Sequence, residues 1–189
     1  GVSEVLSTRE AARTAFKADG RLADSDEFSD QGRAGTDVAA FSVALGKVDA
    51  RPVSRYLMVA YDDIFSIEYL ERRQRPWWRR SGADAAALLR SGRRDHDGLS
   101  QRSKAFDEEL MADLRRVGGE KYARLASLAY RQTLAAHKLV ADIDGTAMHF
   151  PKENSSNGCI GTVDVIYPAS PFFLLFNPRL VEAQLKPVL

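Results

Sequence analysis

The chain has 189 residues, balances 27 Lys and Arg against 26 Asp and Glu, is 44% hydrophobic and carries one cysteine. That length can bury a sizeable core, while near-neutral charge argues against a dedicated nucleic-acid binder. A single cysteine excludes an intrachain disulfide framework and any zinc site built on several thiolates.

No apolar run approaches the ~20 residues of a membrane span, so no membrane partner is expected. Gly1-Val2-Ser3 has no initiator Met, and no signal peptide precedes it in this chain. From the N-terminus, residues 3–17 predict a weak amphipathic helix with Ser3 as N-cap and Val5, Leu6, Ala12 and Phe16 on one face. A polar connector completes the first segment, 1–36. The runs VAAFSVAL (38–45) and SRYLMVAY (54–61) read as two strands of a β-hairpin spanning 37–61, the second buried on both faces.

After Asp62 the pattern reads as helical, with DDIFSIEYLERR ending at Arg75-Pro76. A short helix stopping at Gly92 follows, then a helix with Phe106, Leu110, Met111, Leu114 and Val117 on one stripe. Gly118-Gly119 joins it to an Ala-rich helix over 120–141, making an αα-hairpin. The stretch 142–170 reads as a long, partly polar loop. Pro171 and Pro178 suit the first turns of two closing helices, and the apolar pattern still runs at Leu189, as in a piece of a longer protein. The fold class expected is mainly α: αα-hairpins plus a short β-hairpin near the N-terminus, with 62–189 as a helical central domain.

Three segments carry a resemblance: YDDIFSIEYLERRQRPWWRR (61–80), GGEKYARLASLAYRQTLAAHKLV (118–140) and PKENSSNGCIGTVDVIYPASPFFLLFNPRLVEAQLKPVL (151–189). Their YDDI, LAYRQ and KE-x-x-SNG…TVDV-x-YP blocks resemble the central region of glutaminase A-like proteins. The resemblance implies a region of unassigned function between an N-terminal β-sandwich-like domain and a C-terminal six-hairpin α/α toroid, which would be its intramolecular partners. It implies an exported protein (secreted, periplasmic or cell-surface) that hydrolyses glutamine to glutamate and ammonia. It brings no assigned catalytic residues with it.

The residues themselves offer candidates. Glu153 and Asp164 are the expected catalytic pair, with Lys152 and Asn157 positioning substrate. Asp164, flanked by Val163 and Val165, is expected to be partnered or raised in pKa. A helix-capping Asp164 and an SNG turn are the plain alternatives. Amide hydrolysis needs an activated nucleophile or water and an oxyanion donor, yet no nucleophile elbow or S-x-x-K pattern is present. Paired carboxylates without a nucleophile also suit glycoside hydrolysis, so the small-molecule substrate is glutamine or a saccharide.

Asp62 and Asp63 are read as a helix N-cap, with Asp63 also a substrate-binding candidate. Arg72, Arg73, Arg75, Arg79 and Arg80 around Trp77-Trp78 imitate a nucleic-acid patch, but neighbouring acids offset that charge. Trp78 is a candidate stacking platform or simply packing, and Arg131 a candidate substrate contact or a hydrogen-bond donor to the loop. His96, His137 and His149 are scattered, so neither a metal nor a cofactor is implied, and DIDG (142–145) reads as a turn rather than a calcium loop. A purely structural linker module is the competing reading.

Overall fold

The computed structural model describes residues 1–28, 37–152 and 157–189. They form two compact units, Gly1–Leu57 and Met58–Leu189.

In the first unit, strand β1 (Val2–Thr8) runs into helix α1 (Arg9–Asp19), and β1 pairs antiparallel with β2 (Asp37–Val43) from Val2↔Val43 to Thr8↔Asp37. Residues 3–8 are therefore strand, not the predicted helix. The true N-cap is Thr8, whose Oγ1 accepts the Ala11 N–H at 3.2 Å, and Gly20 closes the helix at φ 74°. Alternation in β1 buries Val5 and Ser7. The predicted strand at 54–61 is absent: β2 has β1 as its partner, and Tyr56, Val59 and Tyr61 are exposed and outside any strand.

The second unit is built on a four-stranded antiparallel sheet ordered β3-β4-β5-β6. Strands β3 (Ile67–Tyr69) and β4 (Arg72–Pro76) replace the helix predicted after Asp62. Leu70 and Glu71 join them with φ of 48° and 63°, a two-residue turn of the primed type. Glu68 consequently meets its cross-strand partner Arg73 at 3.4 Å.

A 3₁₀ turn (Trp77–Arg79) leads to α2 (Ala85–Ala135), N-capped by Asp84, whose carboxylate accepts the Ala87 N–H at 2.7 Å. Gly92 does not stop it, and His96 lies on this helix. Gly119 breaks the helix at φ 76°, ψ −175°. Phe106 and Tyr130 would stand about 36 Å apart on a straight helix. Their ring centroids are 6.1 Å apart, so the two arms fold back as the predicted αα-hairpin.

Strand β5 (His137–Ala141) takes the end of the predicted Ala-rich helix, and β6 (Ala147–Pro151) lies inside the predicted loop. The DIDG turn joins them, with Gly145 at φ 83° donating to the Asp142 carbonyl at 2.9 Å. One face of β6 places Met148 and Phe150 in the main core with Ile67 and Val140. Its other face places His149 against Phe173 of α3 (Val163–Phe176), followed by α4 (Pro178–Leu185). Pro178 opens α4 as predicted, but Pro168 and Pro171 lie inside α3. The carbonyls they leave without helical partners belong to Asp164 and Tyr167, both exposed, so water can serve them. Among the described residues no helix is long and apolar enough to cross a membrane.

The backbone at Gly119 lies in a region essentially reserved for glycine. Gly119→Ala is expected to cost ~1–3 kcal/mol in urea unfolding. Gly98→Ala, in the helical interior where a Cβ meets nothing within 4 Å, should instead stabilise by ~0.5–1 kcal/mol.

Candidate functional site

The polar segment after β6 is held at its base. Lys152 bridges Ile160, the Lys152 N–H donates to the Ala136 carbonyl at 2.9 Å, and the Gly161 N–H donates to the Pro151 carbonyl at 3.1 Å. Ile160 packs on the core, which anchors the returning chain. Lys152, Asn157 and Cys159 are exposed, and Asn157 Oδ1 accepts the Cys159 N–H at 2.8 Å. Glu153 lies outside the described residues. Asp164 stands in the first turn of α3, where the helix dipole favours a carboxylate. It is exposed, contrary to the burial expected from its apolar neighbours: in a helix Val163 and Val165 do not share its direction.

Asp62 and Asp63 precede a strand, so neither caps a helix. Arg79 grips Asp62 with two nitrogens, Nε at 2.8 Å and Nη2, and holds its carboxyl below the usual carboxylate range. Asp62 Oδ1, which accepts the Arg79 Nε–H, also accepts the Ile64 N–H at 3.0 Å. That bond sits beside Ile64 at φ 56°, a strained value for a β-branched residue. Asp63 meets Lys138 of β5 at 3.0 Å. Burial pushes the Asp63 carboxyl up, and the nearby Ser66 hydroxyl and Lys138 ammonium more than offset it, leaving it low. Asp63 Oδ1 and Ser66 Oγ are both buried.

The candidates thus fall into three places. Lys152 and Asn157 lie between β6 and α3, and Asp164 stands in the first turn of α3. Asp63 and Trp78 are linked through Asp62 and Arg79, whose guanidinium lies 4.9 Å from the Trp78 ring centroid. Trp77 and Trp78 are both half-buried. Arg131 is exposed and lines a cavity of about 1130 Å³ between the arms of α2, with Phe106 and Tyr130. Gln132 is exposed beside it.

Sequence reasoning missed the partners. Lys138 and Arg79 answer Asp63 and Asp62, and buried Asp142 receives Arg72 at 2.8 Å and Gln74 at 3.3 Å. It also missed a histidine pair. His137 and His149 stack at 4.9 Å between ring centroids, each about 5 Å from Phe173, with His137 Nε2 and His149 Nδ1 unpartnered. The signal available was HKLVA and AMHFP flanking DIDG, a hairpin pattern that places both histidines on one face. Among the described residues, no group of three or more His, Cys, Asp or Glu could hold a metal ion.

Two family models divide the sequence. One, described as a domain of unknown function (DUF5127), matches residues 1–113; the other, the glutaminase A six helical-hairpin domain, matches 119–189. The chain belongs to the glutaminase A-like family. The two matches meet beside the Gly119 break, and the α2 hairpin straddles them. Glutaminase A of Aspergillus oryzae is 32% identical over 182 residues, covering 93% of this chain and 26% of the relative. A protein named probable glutaminase from Arthroderma benhamiae is 34% identical over 115 residues, covering 61% of this chain and 13% of the relative. The chain therefore spans about a quarter or less of the length of these curated relatives. No solved structure matches.

Burial, then the neighbouring His137, pushes the His149 imidazole down to about 4, and a backbone group at Leu180 offsets this only in part. Burial also lowers His137. With the folded value below the unfolded one, the unfolded chain takes up the proton first. Stability is therefore full above ~6.5 and falls as pH drops from there through 4, by about 3 kcal/mol for His149. Urea unfolding at pH 7 and pH 4.5 checks this, and His149→Phe should flatten the difference.

Proposed function

We propose that this chain forms part of an amide hydrolase that converts glutamine to glutamate and ammonia. In this reading the segment from Lys152 to Asp164 supplies site residues. Water adds to the side-chain amide carbon, the C–N bond breaks, and ammonia leaves. Glu153 and Asp164 handle the two proton transfers, one taking the proton from water and the other giving one to the departing nitrogen. Lys152 and Asn157 orient the substrate, and a following helical-hairpin region completes the site. An N-terminal sandwich, export from the cell and the full six-hairpin toroid belong to the same proposal.

One observation supports this most. The polar segment is pinned at both ends by the Lys152↔Ile160 bridge and the Gly161–Pro151 bond, and it delivers Asp164 exposed at a helix start. Anchored ends of this kind give the residues beside them a fixed position. The names of both relatives agree with the reaction class. Asp63 and Trp78 sit in paired or stacked arrangements with Lys138 and Arg79, which favours a supporting role for both.

The test uses a longer glutaminase A-like protein that contains this sequence. Asp164→Asn and Glu153→Gln should each lower kcat/KM for glutamine by ~100-fold or more, with circular dichroism unchanged. Glutaminase activity untouched by both changes would remove these residues from the mechanism. Turnover of aryl glycosides with none of glutamine would favour the carbohydrate reading. The 189-residue chain alone should turn over no glutamine.

A further inference from the structure

The arginine-rich segment around the two tryptophans has no part in the proposed hydrolysis. In the fold, Arg73 and Arg75 of β4 and Arg79 and Arg80 of the 3₁₀ turn line one cleft of about 400 Å³. Phe65 and Asp142 share its lining.

The charges of the cleft do not cancel. Asp142 is engaged by Arg72 and Gln74, and Arg79 is engaged by Asp62. Glu68 stands 3.4 Å from Arg73, but both side chains are about two-thirds exposed, and such a surface pair contributes little. Arg75 and Arg80 lie instead over aromatic rings, 5.6 Å from the Phe65 centroid and 4.5 Å from the Trp77 centroid. Stacking fixes a guanidinium plane while its edge N–H groups remain able to donate. Arg80 spends one such group on the Trp77 carbonyl at 2.9 Å. With Arg73 beside Glu68, Arg75 and Arg80 are the cleft arginines without a carboxylate partner among the described residues, and they leave excess positive charge around one small cavity.

Guanidinium forks match carboxylate and phosphate oxygens two at a time. One monocarboxylate would occupy one fork, whereas several forks around a cavity suit an anion with two or more charges. The volume is that of a small-ligand pocket, typically ~300–1,000 Å³. Nucleic acid fits poorly, because the Trp77 and Trp78 rings on which bases would stack already carry Arg80 and Arg79.

We propose that this cleft binds a small oxyanion carrying at least two negative charges, of the phosphate or dicarboxylate class. Isothermal calorimetry and thermal unfolding of the chain test it, with inorganic phosphate and succinate as probes and chloride at matched ionic strength as the control. Saturable binding of phosphate or succinate and a raised Tm are expected, and the stronger of the two identifies the class. Arg75→Ala with Arg80→Ala should weaken that binding about tenfold or more, the loss expected of charge-assisted pairs. Arg90→Ala with Arg93→Ala, on α2 outside the cleft lining, should leave it unchanged. Because Arg75 and Arg80 are exposed, the double variant should keep its circular dichroism spectrum. Should it unfold, Arg75→Lys with Arg80→Lys keeps the charge without the forks and should still weaken binding several-fold. No saturable binding of either probe, or binding indifferent to the cleft variants, would overturn the proposal.

Discussion

Strand β6 is buried on both faces, and the second unit depends on that constraint. Met148 and Phe150 pack into the core with Ile67 and Val140, while His149 and Pro151 are buried on the opposite side. Phe173 of α3 closes over His149 and His137. Interior packing of this density leaves little freedom for slippage, because a one-residue shift would exchange the phenyl ring of Phe150 for the imidazole of His149. The register of β6 therefore fixes where the polar segment leaves the sheet and where α3 begins. The two unpartnered imidazole nitrogens show that this fit is made at a polar cost, which grows in acid.

Charge completes the placement. Arg79 and Lys138 draw Asp62 and Asp63 onto the 3₁₀ turn and β5, and Ile64 is held between them in a left-handed conformation. The Asp142 carboxylate similarly joins the end of β5 to Arg72 and Gln74 of β4. Each pair links segments distant in sequence. Apolar burial supplies the driving force, and these pairs set the angles at which the loops depart.

The helical hairpin was legible in the sequence because its stripe repeats at helical spacing and Gly118-Gly119 marks the turn. The sheet was not. Leu70-Glu71 lacks the Asn-Gly signature of a primed turn, and the spacing of FSIEYLERR (65–73) around it satisfies a helical template equally well. The Ala-rich run hid the change to strand at His137, since short apolar segments do not declare their period. Position also misled at Asp164: valine neighbours imply burial on a strand, but not in a helix where successive side chains diverge. Of the candidate site, the polar segment was visible from its composition. The partners of Asp62, Asp63 and Asp142 were not, because they come from residues brought near only by the sheet.

The α2 hairpin lies where two family-model matches meet, with α3 and α4 in the six-hairpin part. Whatever surrounds it in a longer protein, β6 is the element that relates the polar segment to those helices. Native-state amide hydrogen exchange on the chain tests that role most directly. The amides of β5 and β6 should be the slowest to exchange in the second unit, opening only with global unfolding. Exchange of β6 as rapid as that of residues 157–161 would contradict it.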